Sequence, residues 1–371
     1  MKLSVDDCVV WICEGKFLAS DRSRSNSITL SDVAKDAGVS PMTVSRVING
    51  ETSVRESTRK SVQESIRKLN YRPNIGARRL AGAKVARICL LYGNPSSSYL
   101  GELLVGAVEK AGHLGHQLVV IRASEDLSAE MLAEQYRTQW DGIILPSPMG
   151  DEAATRDVIA KEKIPAVFTT GSVGKRKKNK ANMFELGIDN RAAAKAITEK
   201  LIELGHSRIG FIKGRKDQAG TSLRYKGFCD AMEAANLEVN PLMVEQGDFT
   251  YLSGMQAAER MLTFDPRPTA IFAANDDMAA GVIGAGSRQG LILPGDLSVA
   301  GFDDSPIATS IWPNLTTIHQ PVSEIGACAV EILDEMIFPK EEKSKLSQKG
   351  HQWLEYTLIE RASTSSPNRF S

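Results

Sequence analysis

Residues 38–50, "GVSPMTVSRVING", place Met42, Ser45, Arg46 and Asn49 on one helical face and Val44, Val47 and Ile48 on the other. A guanidinium, an amide and a hydroxyl about one turn apart can meet a fixed array of donors and acceptors. Just before them, Ser40 can cap the helix and Pro41 suits its first position. A second set lies far along the chain: Arg224, Phe249, Asn275, Asp276 and Asp303, joined by Asn94, Tyr99 and Thr170. Carboxylates and amides accept from and donate to hydroxyls, a guanidinium adds fixed donors, and an aromatic ring covers an apolar face. The first set suits a long regular polar surface. The second suits a small polyhydroxylated molecule such as an uncharged sugar.

Neither set reads as catalytic. "GAGSRQG" misses the GxGxxG spacing and ends a helix instead of following a strand, and neither GxxxxGK[ST] nor GxSxG occurs. His113 and His116 sit beside helix-ending glycines with no third ligand in view, so no metal site is expected, and no cofactor.

The first set needs a compact helical scaffold. Thr29 with Asp32 three residues on is a capping-box start, Gly38 supplies a turn, and Val62, Ile66 and Leu69 form the stripe of a third helix. Helix, glycine turn and short polar-faced helix make a helix-turn-helix, whose second helix enters a DNA major groove. "NYRPNIGARRLAGAK" follows, in which Asn74 can cap a short helix with Ala77, Leu80 and Ala81 on one face. So short a helix is marginal alone, and its apolar face with flanking arginines suits a minor-groove wedge. Charge agrees. The chain has 45 basic and 45 acidic residues, yet residues 28–84 carry eleven basic against five acidic ones, a net of +6, and the chain beyond carries −6. A basic head on an acidic body is the pattern of a nucleic-acid-binding unit on a soluble carrier.

The second set needs sheets. From Val85 onward, short β-rich runs alternate with helical stretches: "RICLLY", "QLVVIR", "DGIILP" and "PAVFTT", then "FELGID", "RIGFIKG", "LMVEQGD", "TAIFAAND" and "LSVAGFDD". That alternation predicts parallel sheets of βαβ units in two doubly wound lobes split near residue 180, with ligands beyond the carboxyl ends of the strands. The split, "GKRKKNKAN", reads as a solvated loop. No run of about 18 apolar residues is present, as a spanning helix would need. Five scattered cysteines, none spaced CxxC, fit reduced thiols in a cytoplasmic protein.

At this point the residues carry a resemblance. "ITLSDVAKDAGVSPMTVSRVING" with "TRKSVQESIRKLNYRPNIGARRLAG" resembles the head and hinge helix of the lactose-repressor/galactose-repressor family, and "LGHSRIGFI", "SLRYKGF", "ANDDMAAG" and "LSVAGFDDSPIATSIWPNLTTIHQP" resemble its body. The resemblance implies a ligand-controlled transcription regulator, a homodimer reading a double-stranded, pseudo-palindromic operator, with a periplasmic-binding-protein-like body. By position, Leu80 matches the intercalating leucine, and Pro41, Met42 and Arg46 match base-reading positions. Thr29, Ser40, Thr43, Ser45, Asn49, Thr58, Tyr71 and Asn74 match backbone or supporting contacts. Arg224, Phe249, Asp276 and Asp303 match effector-binding positions.

The expected organisation is an extension over 1–27, a DNA-binding head over 28–73, a hinge helix over 74–84, a two-lobed body over 85–363 and a fraying tail over 364–371. Within the body we expect an N-lobe of about 85–183 plus 303–317 and a C-lobe of about 184–302 plus 318–363.

Overall fold

The computed structural model describes residues 28–48, 53–71, 84–93, 96–123, 129–170, 182–339 and 350–368. The extension over 1–27, the hinge region over 74–83 with Asn74, Ala77 and Leu80, most of the basic loop, and Asn49 and Asn94 lie outside them.

The head is three helices, α1 (Leu30–Ala37), α2 (Pro41–Ile48) and α3 (Glu56–Lys68). The capping box forms: the Asp32 amide donates to Thr29 Oγ1 at 3.3 Å, and the Thr29 amide donates to the Asp32 carboxylate at 2.8 Å. The Thr29 amide and hydroxyl, both donating to it, hold the Asp32 carboxyl below the usual range. Gly38 ends α1 at φ 68°, the left-handed region that a Cβ disfavours, and so turns the chain into α2. Val33, Ala34, Val44, Val47, Val62 and Tyr71 are buried together, with Ile66 and Leu69 packed against them. The apolar stripes read from sequence are the ones that meet.

The body begins with a parallel sheet of order β2-β1-β3-β4-β5-β11, formed by β1 (Arg87–Tyr92), β2 (Gln117–Arg122), β3 (Gly142–Pro146), β4 (Ala166–Thr169), β5 (Met183–Gly187) and β11 (His351–Trp353). Helices α4 (Ser97–Leu114), α5 (Ala129–Gln139) and α6 (Ala153–Glu162) alternate with its strands. The second sheet is parallel with order β7-β6-β8-β9, from β6 (Ile209–Lys213), β7 (Val244–Gln246), β8 (Ala270–Ala273) and β9 (Ser298–Ala300). Its helices are α7 (Asn190–Glu203), α8 (Ala219–Ala234), α9 (Tyr251–Met261) and α10 (Asp276–Arg288). A short helix, α11 (Ile307–Ser310), precedes β10 (Thr317–His319), which pairs antiparallel with β12 (Thr357–Ile359).

The C-terminal third is distributed differently from expectation. Helix α12 (Val322–Ile337) belongs to the N-lobe: Ile325, Ala329 and Leu333 are buried with Ile88, Leu90 and Leu103. It crosses α4 at two glycines. A Cβ on Gly106 would overlap the Ser323 carbonyl, and one on Gly326 would overlap the Leu103 carbonyl. Strand β11 then extends the N-lobe sheet beside β5. Residues 303–317 stay with the C-lobe instead, where Ala300 bridges Thr316. The corrected division gives the N-lobe β5 and 322–353 and gives the C-lobe 303–319, so the predicted ownership of these segments is reversed. The physical reason is that an amphipathic helix announces a buried face but not the sheet that buries it.

The tail is also held through Asn368. Ser363 Oγ donates to the Val299 carbonyl at 2.6 Å, the Ser365 amide donates to Ser298 Oγ at 3.0 Å, and His206 Nε2 lies 2.9 Å from the Ser365 carbonyl. Hydrogen bonds to the edge of β9 replace the apolar contacts that this polar segment lacks. Among the described residues no helix is long and apolar enough to cross a membrane.

Candidate nucleic-acid interface and ligand cavity

On α2, Val44 and Val47 are buried while Pro41, Met42 and Arg46 face outward, Met42 at 65% exposure. Ser40 Oγ accepts from the Thr43 amide at 3.2 Å and lies 2.9 Å from Thr43 Oγ1, so the start of α2 is capped from within. Ser45 on α2 and Thr58 on α3 are half-buried. Thr29 is committed to its cap, and Tyr71 is packed in the head core, where burial raises its phenol. A rigid helix thus presents an arginine, a thioether and small hydroxyls on one outward surface, a shape that fits a major groove.

In the body, the carboxyl ends of both sheets surround one cavity of about 570 Å³, counting the space open to solvent. The N-lobe supplies Ser96 and Tyr99 around the start of α4, Ser147 after β3, and Thr169 and Thr170 at the end of β4. The C-lobe supplies Asn190, Gln218, Arg224, Phe249, Asn275 and Asp303, with Gln320 after β10. These positions follow from the parallel topology, which points every strand's carboxyl end at the same cleft.

Arg224 is 8% exposed and anchored on three sides: Nε donates to Asn190 Oδ1 at 2.8 Å, Nη1 donates to the Ala274 carbonyl, and the guanidinium lies 3.7 Å over the Phe302 ring. Asp303 Oδ1 stands 3.7 Å from Nη1 and accepts from Gln320 Nε2 at 2.5 Å. Burial pushes the Asp303 carboxyl up to about 6, against the pull of Arg224. Thr170 donates to Glu185 at 3.1 Å, and Glu185 is held by Arg156 at 2.5 Å, so the Thr170 oxygen keeps its lone pairs for another donor. Burial raises the Tyr99 phenol to about 12, keeping it neutral and able to donate. Asn275 caps α10, accepting from the Met278 amide at 3.0 Å and donating to the Phe249 carbonyl at 3.1 Å. Phe249 at φ 72° and Asp303 at φ 119° occupy a backbone region that bulky residues rarely adopt. Both side chains line the cavity, where such strain commonly collects.

Asp276 is the exception among the described candidates. It is 0% exposed and does not line the cavity. Its carboxylate accepts from the Ser305 amide at 2.7 Å, Ser305 Oγ at 3.2 Å and Thr317 Oγ1 at 2.6 Å. Burial, reinforced by Asp303, drives its carboxyl well above the usual range. Asn275, the extended N-cap, meets the cavity, while Asp276, the first residue of α10, points behind it and ties down the 305–317 segment. Ser96, Asn190, Gln218 and Gln320 were not anticipated. Their usable signal was position: each follows a strand or opens a helix at the cleft side. Gln218 is 6% exposed, and its Nε2 has no hydrogen-bond partner among the described residues. A buried amide left unpaired invites an outside acceptor.

Comparison with known proteins matches both the head and the body to known domains. Residues 29–74 match the bacterial regulatory proteins of the lacI family, and residues 198–364 match the periplasmic binding protein-like domain. The chain is 33% identical over 329 residues to catabolite control protein A of Priestia megaterium, covering 88% of this chain and 97% of that one. It is 33% identical over 324 residues to the HTH-type transcriptional repressor PurR of Aliivibrio salmonicida, covering 86% and 95%. Among solved structures, the lac repressor dimer bound to operator and the anti-inducer ONPF aligns with a TM-score of 0.72 at 27% identity, covering 91% of this chain and 99% of that one. The complex of the transcriptional regulator CelR with cellobiose aligns at 0.67 with 29% identity and the same coverage. The chain belongs to the lacI family of bacterial regulatory proteins, DNA-binding regulators of transcription.

Proposed function

We propose that this regulator represses carbohydrate-utilisation genes and that a small, uncharged, sugar-like effector in the cavity alters its affinity for the operator. The carrying observation is the lining: Arg224 faces Asp303, and the other polar side chains, among them Gln218, Asn190, Asn275, Thr170 and Tyr99, are neutral hydrogen-bonding groups. Hydroxyls, which donate and accept at once, complement such a set. Phe249 supplies an apolar face for a ring.

A homodimer reading a pseudo-palindromic operator fits the apolar surface of α4, where Val105 and Val108 are 58% and 56% exposed one turn apart. In this reading Arg46 reaches a guanine edge, Pro41 and Met42 read shape and methyl groups, and Thr29, Ser40, Thr43, Ser45, Asn49, Thr58, Tyr71 and Asn74 contact or support the backbone. Paired hinge segments put Leu80, beside Ala77, into the central minor groove. Asn94 joins Tyr99 and Thr170 on the N-lobe side of the effector. Closure of the lobes changes the spacing of the hinges, and the ordering cost of pairing them turns that shift into affinity.

Thermal unfolding across mono- and disaccharides, glycosides and nucleobases tests the proposal. A ligand at 100 times its dissociation constant stabilises by about 2.7 kcal/mol. A response to one carbohydrate, lost in Gln218→Ala, supports the sugar reading. A response confined to nucleobases moves the assignment to a purine, the chemistry that the name of the PurR relative suggests.

A further inference from the structure

Two carboxylates at the cavity rim bridge the lobes. Asp151, beyond β3 in the N-lobe, accepts from Ser147 Oγ at 2.7 Å in its own lobe and from the Ala219 amide at 3.0 Å, the first residue of α8 in the C-lobe. Asp277, on α10 in the C-lobe, accepts from Ser96 Oγ at 3.1 Å and Ser98 Oγ at 3.3 Å at the start of α4 in the N-lobe, while Asn275 Nδ2 lies 3.4 Å from it in its own lobe. The two contacts run in opposite directions across the cleft. Each places a negative group at the positive end of a facing helix. Helix α8 has no side-chain cap of its own, because Gln218 at its N-cap makes no capping bond. The other lobe supplies that partner.

Ser147 and Gln218 flank the first contact and line the cavity, and Ser96 and Asn275 do the same at the second. Neither carboxylate is itself part of the lining. Separating the lobes must break both contacts at once, since each joins one lobe to the other.

We propose that Asp151 and Asp277 are paired clasps that hold the lobes closed over the cavity and so set effector affinity without touching the effector. An effector that binds the closed form gains apparent affinity in proportion to how much of the protein is already closed. The clasps therefore act on affinity alone, and the lining keeps control of selectivity. The affinity arm rests on the effector reading above, whereas the conformational arm does not.

The test uses the full chain with its cysteines replaced and spin labels at the exposed positions Ala154 and Lys216 on the two lobes. Without ligand, the label-to-label distance is expected to lengthen in Asp277→Ala and in Asp151→Asn, and most in the double variant. Should Asp277→Ala fail to fold, Asp277→Asn is the near-isosteric substitute. Effector affinity, read with whichever carbohydrate gives a thermal shift, is expected to weaken about tenfold per clasp with the ranking of ligands unchanged. Ser98→Ala added to Asp277→Ala is expected to cost nothing further, because it removes a donor whose acceptor is already gone. Unaltered label distances in every variant overturn the proposal, and so does a changed ligand ranking. Failure of all sugars to bind overturns only the sugar reading, since the distances are measured without effector.

Discussion

In the head, the chemistry-bearing side chains stand outside a small core, and Met42 and Arg46 are exposed on a helix whose other face is buried. In the body, the corresponding side chains turn inward, and Arg224, Asn275 and Asp303 are buried where two sheets end. The difference sets how each site tolerates change. An outward face can lose a side chain without disturbing its scaffold, because water replaces the partner. An inward face is stability and recognition at once, because every removed partner leaves another group unpaired.

That contrast is breakable, starting from its largest expected effect. Asp303→Ala leaves the Arg224 guanidinium buried without its counter-charge, which costs about 3–5 kcal/mol of body stability by chemical unfolding. A cost below the usual surface range would mean that water reaches the pair. Arg46→Ala is expected to lower the melting temperature far less than Asp303→Ala while removing about 1–3 kcal/mol of discrimination at one operator position, read by anisotropy against single-base variants. An Arg46→Ala protein that melts as early as Asp303→Ala would erase the distinction between the two regions.

Protonation sharpens the same point. The Asp303 carboxyl, held at about 6 by burial, compares with about 3.9 in an unfolded chain. A raised folded value means that the group's contribution to stability is full below about 4 and is lost as pH rises through about 6. Effector affinity should run the other way if a ligand hydroxyl donates to the carboxylate, weakening by up to about tenfold per pH unit below 6. Opposite slopes in calorimetric binding and in unfolding are the expected signature, and parallel slopes would remove Asp303 from the binding account. The smallest effect belongs to Ser40→Ala, which deletes the bond to the Thr43 amide and costs the head about 1 kcal/mol in its unfolding transition.

How much was legible in the sequence follows the same division. The head was readable because its signals are local: a cap at Thr29, a turn at Gly38, and a stripe at Val44 and Val47. The sheets were readable from alternation, except that β5, expected to open the second lobe, joins the first sheet beside β4. Ownership of α12 was not, because packing against α4 depends on a close approach at Gly106 and Gly326 that only the folded chain reveals. The cavity was half readable. Strand ends pointed to Phe249, Asn275 and Asp303, and the helix after β6 to Arg224, but neither pointed to Gln218 or Gln320, and Asp276, read alongside Asn275, turns away from the cavity. Long-range assembly decides such details, and no short window carries it.

The most direct measurement is operator affinity of the full-length protein with and without the carbohydrate that shifts its melting, by fluorescence anisotropy on a sequence obtained by in vitro selection. The account predicts a change of roughly 5–150-fold at saturating carbohydrate, the usual range for coupled sites, and its loss in Gln218→Ala at the same concentration. Equal operator affinity with the cavity full and empty would contradict it.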